Sequence, residues 1–461
     1  MIKSYIEKIP KQEIINDMDE ETKVPAVGVD QDKLAALKAR VAEKEKKKQQ
    51  QEEIKVDSVV KMVEEKNRSI RFGVVACGQC GGKVGESFFK LGYPVVAINT
   101  ATQDLASIEI PQANKLHLDF GLGGAAKDMS IGYAAAEAYS EAISSLIQQK
   151  LGNEELILFC TSLGGGSGAG SVEIIVDIIS NLNIPVAVIT VLPQTSDDTQ
   201  VKNNALQTLG KLVNMVKANK IVNLIVVDNA KIETIYSDVN PFNFFKVSNQ
   251  AIVEPIDVFN TFSKKVSPVK PLDSNEFGKL FTDGQGLTIY GSMKVTNYEA
   301  PEAIAEAIVE NLSGNLLASG FDIQQARYVG FMLIAPKKVW SKIPSVSLSY
   351  AETMIDDVCK NPTIFKGIYE IEDDNAEDCI TVYSMFSGLG LPTERIDQLK
   401  TETKEKLAVS AKKDQERAST LKVDFVEQNV SAADSIRKKI QLKQSAFGQM
   451  NSKMIEDRRK K

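Results

Sequence analysis

The sequence has little histidine and little cysteine. Its 461 residues include one histidine, His117, and five cysteines. A single histidine excludes most histidine-based catalysis and most metal sites that use histidine ligands. Five cysteines in a chain of this length do not indicate a disulfide framework.

Long apolar runs are also missing. No stretch approaches the roughly 18 apolar residues needed to cross a bilayer, and the opening segment MIKSYIEKIPKQEI lacks the apolar core of a signal peptide. We therefore expect a cytoplasmic protein with no membrane insertion. The composition, 43% apolar and 25% charged, is ordinary for a globular protein, and the length allows two or three domains.

Charge is unevenly distributed along the chain. The net charge is −6, yet residues 401–461 contain 15 Lys and Arg against 9 Asp and Glu, so they carry +6 and residues 1–400 carry −12. Residues 1–68 are polar, with the low-complexity run EKEKKKQQQEE, and their sparse apolar spacing predicts a partly helical extension. This extension is either a solvated charged helix or a docking arm for a neighbouring subunit.

From residue 69 onward, short β-rich runs alternate with helical patterns. This order predicts an α/β fold with a doubly wound parallel sheet, whose ligands bind at the carboxyl ends of the strands. A long helix and a loop rich in Pro, Asp and Gly follow, then a block of mixed order that predicts a smaller α+β domain. The predicted divisions are an N-terminal extension at 1–68, a nucleotide-binding domain at 69–240, a central helix at 241–264, a loop region at 265–285, a C-terminal domain at 286–392 and a charged helical tail at 393–461.

Two glycine-rich segments each follow a predicted strand and precede a predicted helix: VVACGQCGGKVG at Val74–Gly85 and GGGSGAGS at Gly164–Ser171. Such turns expose backbone N–H groups at the positive end of a helix dipole, where oxyanions are stabilised. Two of them at one sheet edge would hold a diphosphate or triphosphate from two sides. A Walker loop does not fit, because the Gly-Lys pair is followed by Val84. The dinucleotide fingerprint is also absent from the first segment.

Cys77 and Cys80 in the first segment form a C-x-x-C pair, which in other settings is a redox or zinc motif. No second C-x-x-C pair and no cluster of cysteine and histidine accompanies it, so both of these interpretations are weak. Phosphate binding is the better explanation of the segment.

The second segment resembles the signature loop of the tubulin/FtsZ superfamily of polymerising GTPases, and GQCGG in the first resembles the first phosphate loop of eukaryotic tubulins. The resemblance covers about residues 70–392 and favours a tubulin-like protein of plasmid or phage origin, of the TubZ or PhuZ kind, over a cell-division FtsZ. It implies GTP or GDP as ligand, with Mg²⁺, whose protein ligands stay unassigned. The phosphate-binding residues that it implies are Gly78, Gln79, Cys80, Gly81, Gly164, Gly165, Gly166, Ser167 and Gly168.

The resemblance also implies contacts with the base and the ribose. Asn229 stands where the family reads the guanine edge, and Asp197 stands in the ribose loop. Phe245 and Asn249 are four residues apart on one helical face, where the family stacks an aromatic ring on the base and hydrogen-bonds it with an Asn. For Phe245 alone, a core aromatic is the competing interpretation.

Asp273 and Glu276 match the acidic element that, in this family, reaches the nucleotide of the next subunit. Their spacing places both carboxylates on the first turn of a helix, where one could orient an attacking water. The competing interpretation is a helix N-cap with an acidic first turn. The sequence departs from the family pattern at Ala101, Val201 and Pro271.

The resemblance therefore implies a GTP-hydrolysing cytoskeletal protein that forms longitudinal homopolymers and positions DNA or phage particles. Residues 436–461 contain nine Lys and Arg against two acidic residues, and could bind DNA, an acidic adaptor or an adjacent subunit. Two alternatives stay open: a tubulin-like structural or virion-associated protein with little hydrolysis, and a metabolic enzyme with a Rossmann-like sheet.

Overall fold

A computed structural model describes residues 67–120, 123–310, 314–372 and 376–420 of the chain. Nearly all of the predicted N-terminal extension and the basic segment 436–461 lie outside these residues. The described residues contain no helix of the length and apolarity that a bilayer span requires.

Within the described residues, ten strands form one sheet. They are β1 Phe72–Cys77, β2 Val95–Asn99, β3 Lys115–His117, β4 Leu156–Ser162, β5 Val186–Leu192, β6 Asn223–Asp228, β7 Leu287–Val295, β8 Tyr328–Pro336, β9 Thr363–Ile371 and β10 Ile380–Leu389. Their order across the sheet is β3-β2-β1-β4-β5-β6-β7-β10-β8-β9.

Helices connect the strands. They are α1 Gly78–Lys90, α2 Thr102–Ala106, α3 Met129–Ala138, α4 Ser140–Leu151, α5 Ser167–Asn181, α6 Thr199–Lys217, α7 Asn229–Ile235, α8 Pro241–Phe262, α9 Ser274–Thr282, α10 Ala303–Glu310, α11 Lys337–Trp340, α12 Val346–Val358 and α13 Thr393–Thr420. Short 3₁₀ turns lie at Gln112–Asn114 and Ile323–Gln325.

The first six strands are all parallel, which confirms the predicted doubly wound α/β sheet. Every residue of β1, β5 and β6 is buried, as expected for strands covered by helices on both faces. The second block joins the same sheet through a short parallel pairing of β6 with β7, and it contains both antiparallel and parallel pairs.

One predicted helix is wrong in its extent. The apolar spacing from Ser130 predicts a single helix through Leu151, but the structure has two helices that meet at Tyr139. Tyr139 leaves the helical conformation, with φ −106° and ψ 16°, and its hydroxyl donates to the Asp119 carbonyl at 3.3 Å. This bond and the partial burial of the ring are the local features that accompany the break.

The central helix α8 is anchored at its C-terminal end to the start of β1. The Asn260 side chain accepts from the Ile70 N–H at 2.8 Å and donates to the Ile70 carbonyl at 2.9 Å, as a neighbouring strand would. The Ser69 N–H donates to the Asn260 carbonyl at 2.9 Å. Because β1 starts at the amino edge of the sheet, α8 ends at that edge and its N-terminal turns point back toward the carboxyl edge.

Candidate nucleotide-binding site

The two glycine segments lie side by side at one edge of the sheet. They follow β1 and β4, which are neighbouring parallel strands, so both segments emerge at the carboxyl edge. The strand order reverses between β1 and β4, and in open α/β sheets ligands bind in the crevice that opens at such a switch point. The topology therefore brings the predicted phosphate-binding residues together.

Backbone atoms of the two segments approach each other closely. A Cβ atom on Gly78 would lie 3.1 Å from the Gly168 nitrogen, and one on Gly168 would lie 2.4 Å from Thr161 Oγ1 and 2.9 Å from the Cys77 carbonyl oxygen. Only glycine fits these positions. The first turns of α1 and α5 therefore lie side by side, and the backbone N–H groups at such helix starts suit the oxygens of a polyphosphate.

In the first glycine segment, the glycines belong to helix α1 itself and not to a loop before it. Helix α1 begins at Gly78 itself, where φ is +77°, so GQCGG forms the first turn of the helix. A Cβ on Gly81 would lie 2.2 Å from the Cys160 carbonyl oxygen, which shows that α1 packs directly on the backbone of β4. Gln79 is exposed and Cys80 is partly exposed on this turn.

The surroundings of Cys77 and Cys80 bear on the redox and zinc interpretations. Cys77 Sγ lies 3.1 Å from Ser171 Oγ, and burial raises the pKa of the Cys77 and Cys80 thiols to about 11. Both thiols are therefore protonated at neutral pH, unlike reactive thiolates. No group of three or more Cys, His, Asp or Glu that could hold a metal ion occurs among the residues with described positions. Neither the redox nor the zinc interpretation gains support.

The loops that follow β2 and β3 lie against the second glycine segment. Thr100 Oγ1 is 2.6 Å from Ser167 Oγ, which ties the end of β2 to the first residue of α5. A Cβ on Gly166 would lie 2.6 Å from the Ala125 Cβ. Ala126 and Lys127 have φ of 46° and 65°, in the left-handed region that non-glycine residues seldom adopt, so this loop turns sharply beside Gly166.

Asp197 and Asn229 also lie at the carboxyl edge, after β5 and β6. The Asp197 carboxylate accepts from the Gln194 N–H at 2.8 Å and stabilises its own turn. Asn229 is the first residue of α7, and Asp228 before it accepts from the Ala230 N–H at 3.0 Å as the helix cap. Their contacts with ribose and base stay predictions.

Phe245 and Asn249 lie on the N-terminal half of α8. Asp257 on the same helix is at the amino edge, where it accepts from Arg68 Nε at 3.1 Å and from the Tyr93 hydroxyl at 2.7 Å. Phe245 precedes it by twelve residues, or about 18 Å of helix, which brings it back toward the carboxyl edge. Its ring is 62% exposed, so it is not the core aromatic of the competing interpretation.

Asp273 and Glu276 lie at the opposite edge of the sheet. They form a capping box at the start of α9: Asp273 Oδ1 accepts from the N–H groups of Asn275 at 2.8 Å and Glu276 at 2.9 Å, and Glu276 Oε2 accepts from the Asp273 N–H at 3.0 Å. Ser274 Oγ is 2.8 Å from Ser69 Oγ, which fixes this end of α9 to the start of β1. Asp273 is exposed and Glu276 is partly exposed.

The N-cap interpretation of this pair is thus correct for the isolated chain, while the catalytic one stays a prediction. The capping box uses Oδ1 of Asp273 and Oε2 of Glu276, so each carboxylate has a second oxygen outside the box. From Ser69 to Cys77 the chain spans about 26 Å of strand, so one molecule cannot bring this pair to its own glycine segments.

The residues at the carboxyl edge fit a nucleotide better than a bare metal ion. The glycine segments supply backbone N–H groups for phosphates, and the exposed Phe245 ring offers a stacking face. The part of the chain that the structure describes has no preformed metal cluster.

Residues 71–237 match the family described as Tubulin/FtsZ family, GTPase domain. The tubulin-like protein TubZ of Bacillus cereus is 21% identical over 380 residues, which are 75% of this chain and 86% of that protein. The GTPγS-form protofilament structure of TubZ from Bacillus thuringiensis serovar israelensis superposes with a TM-score of 0.67 at 21% identity, covering 76% of this chain and 95% of that one.

A structure described as type III plasmid segregation TubZ has a TM-score of 0.62 at 19% identity and covers 77% of this chain and 95% of that one. At these identities the solved structures show a shared fold. Together with the family match, they agree with the resemblance that the two glycine segments indicate: residues 71–237 are similar to the GTPase domain of the Tubulin/FtsZ family, and the chain shares the fold of the solved TubZ structures.

Proposed function

We propose that this protein binds GTP at the carboxyl edge of its sheet, stacks head to tail with further copies, and hydrolyses GTP when the next copy supplies Asp273 and Glu276. The observation that carries the proposal is the separation of the two halves of the site. The glycine segments and the acidic pair lie at opposite edges of one sheet. A stacked copy can bring them together, whereas a single molecule cannot.

Each group at the carboxyl edge has a distinct task in this proposal. Backbone N–H groups of the turns at Gly78–Gly81 and Gly164–Gly168 bind phosphate oxygens. Asn229 and Asn249 hydrogen-bond the guanine and Phe245 stacks on it, while Asp197 holds the ribose. Mg²⁺, when bound, neutralises charge that develops on the phosphates during transfer.

The acidic pair acts on water. In the stacked pair, one carboxylate oxygen outside the capping box accepts a hydrogen bond from the attacking water and orients it toward the terminal phosphate. The capping box holds both side chains in place before stacking, so their rotamers are already restricted when the next molecule arrives.

Two substitutions distinguish the catalytic role of the acidic pair from its role in capping α9. Glu276→Gln keeps the capping box, because Gln serves as well as Glu at that position, and Asp273→Asn keeps a good N-cap. Both remove a carboxylate charge without removing the hydrogen bonds that begin α9. We expect turnover in assembled samples to fall by about a hundredfold, with GTP affinity and unfolding temperature unchanged.

The capping box also favours a second candidate, a nucleotide-binding structural protein in which Asp273 and Glu276 only begin a helix. This candidate predicts equal and negligible turnover for the parent and both variants. Unchanged rapid turnover in both variants would instead contradict the catalytic role of the pair.

We further propose that the filament carries DNA through the basic segment 436–461. Support comes from the nine Lys and Arg of this segment and from the relative described as a plasmid segregation protein. The affinity of the full chain for duplex DNA should fall steeply with salt, and replacing four of these basic residues by Gln should flatten that dependence. A salt dependence equal to that of the parent would overturn this proposal.

A further inference from the structure

Helix α13, the last helix that the structure describes, contacts two segments of the candidate site with its first turns. One is the turn at 193–198 that contains Asp197, and the other is the end of β6, directly before Asn229. Four charged side chains make these contacts, and none of them was singled out for this task by the sequence. They are Arg395, Glu402 and Lys406 on α13 and Lys202 on α6.

Arg395 holds the end of β6. Its Nε donates to Asp228 Oδ2 at 2.7 Å, and its Nη2 donates to the Pro193 carbonyl at 3.1 Å. The side chains of Arg395 and Asp228 are 4% and 1% exposed. The same Asp228 caps α7, whose first residue is Asn229. One guanidinium therefore joins both segments.

Lys406 contacts three consecutive residues of the turn at 193–198. Its ammonium donates to the carbonyl oxygens of Asp197 at 2.6 Å, Thr195 at 3.2 Å and Ser196 at 3.4 Å. Three carbonyl groups that converge on one cation fix the course of a turn that no strand or helix pairing holds. The Asp197 side chain leaves this turn from the same backbone.

Lys202 and Glu402 complete the contact. The fully buried Lys202 ammonium donates to the Thr195 carbonyl at 2.7 Å and pairs with Glu402 Oε2 at 2.5 Å, and Glu402 Oε1 accepts from Arg395 Nη1 at 3.4 Å. Lys202 stands next to Val201, where the family pattern has an Arg. Its ammonium contacts α13 and the Thr195 carbonyl.

We propose that the first four turns of α13 act as a clamp that positions the ribose-binding turn and the base-reading start of α7, with Arg395 and Lys406 as positioning residues for nucleotide specificity. This inference rests on the proposed function, because it assumes that Asp197 and Asn229 contact the nucleotide. It adds that their geometry depends on the C-terminal helix.

Lys406→Met is the sharpest test of the clamp. The Lys406 side chain is partly exposed, and its removal does not leave a buried acidic group without a partner. Lys404→Met, two residues away and exposed on the same helix, is the matched control. GTP and 2′,3′-dideoxy-GTP binding would be measured by equilibrium titration at protein concentrations where sedimentation detects no polymer. Unfolding temperatures without nucleotide would be recorded for all three proteins.

We expect Lys406→Met to weaken GTP binding about tenfold and to shrink the preference for GTP over the dideoxy analogue, at an unchanged unfolding temperature. Lys404→Met should match the parent. A merely structural role of Lys406 would lower the unfolding temperature and leave the preference between the two nucleotides unchanged, which would overturn the inference.

Arg395→Lys gives an independent readout at the base. It keeps a positive charge but loses the fork that joins Asp228 to Pro193. We expect the affinity ratio of GTP to ATP to fall, while a ratio equal to that of the parent would contradict the clamp. If the parent itself fails to bind GTP, the proposed function fails; if the parent binds and both variants keep its specificity, only the clamp fails.

Discussion

Neighbouring glycines of α1 differ sharply in their surroundings. A Cβ on Gly81 would meet the Cys160 carbonyl oxygen at 2.2 Å, a backbone atom that cannot turn away. A Cβ on Gly82 would meet only the Ile108 side chain, at 3.7 Å, which is ordinary van der Waals contact. Substitutions at the two positions therefore distinguish the effect of close packing of α1 on β4 from the general effect of replacing a flexible glycine.

We expect Gly81→Ala to lower the free energy of unfolding by about 2 kcal/mol through overpacking and to weaken GTP binding. Gly82→Ala should be neutral or stabilising by about 0.5 kcal/mol, because it lowers the entropy of the unfolded chain. Denaturant unfolding and GTP titration of both variants measure these effects. Equal stability of the two variants would contradict the packing described for α1.

Phe245 is a large aromatic side chain that the fold does not bury, since it is 62% exposed. Phe245→Ala should therefore leave the unfolding temperature unchanged and weaken GTP binding about tenfold, which matches the loss of one base-stacking contact. Tyr350→Ala, at an exposed aromatic of α12, is the control and should change neither quantity. Unchanged GTP affinity of the Phe245 variant would remove this residue from the base site.

The motif residues are visible in the sequence because they stand close together in the chain, and the resemblance implies their roles. Glycines after a strand and an acidic pair three apart are visible without a fold. Arg395 and Lys202 were not identifiable as partners of Asp228 and Glu402, because those pairs span 167 and 200 residues of chain. Only the packing of α13 against α6 and the turn at 193–198 brings them together.

At the scale of elements, the alternation of strands and helices predicted the sheet, but the patterns of α6 and β9 are mixed. Helix α6 is rich in polar residues, and its apolar face of Ala205, Leu209 and Leu212 is narrow. Strand β9 lies at the sheet edge and carries Lys366 and Glu370 among its apolar residues. Such mixed patterns do not distinguish strands and helices from loops.

The loop between α8 and α9 presents apolar side chains at the amino edge. Val266 is 95% exposed and Val269 is 64% exposed. Ser263 Oγ and Ser274 Oγ, at the two ends of this loop, lie 2.7 and 2.8 Å from Ser69 Oγ. The valines therefore lie on the loop that leads into the acidic pair, at the edge that would meet the next molecule in the proposed stack.

Replacing Val266 and Val269 by Ser should raise the protein concentration needed for assembly about tenfold, because burial of two valines would no longer favour stacking. GTP binding by the unassembled protein should stay the same. Val409→Ser, at an exposed position of α13, is the control. Sedimentation with GTP measures the threshold, and an unshifted threshold would exclude this loop from the contact between molecules.

At the scale of the whole molecule, α8 links the two edges. Its 22 residues span about 33 Å, from the Phe245 region at the carboxyl edge to the Asn260 contact with β1 at the amino edge. The proposed nucleotide contacts at one end and the acidic pair beyond the other end thus belong to one helix and its following loop. This arrangement fits the proposal that a neighbouring molecule completes the site for hydrolysis.

The most direct test of the split site is the GTP turnover per molecule across a series of protein concentrations, with bound nucleotide measured in the same samples. We predict saturated GTP binding at every concentration, with negligible turnover below a threshold and a steep rise above it that coincides with sedimentable polymer. Turnover per molecule that stays constant across the series, with or without polymer, would contradict the split site.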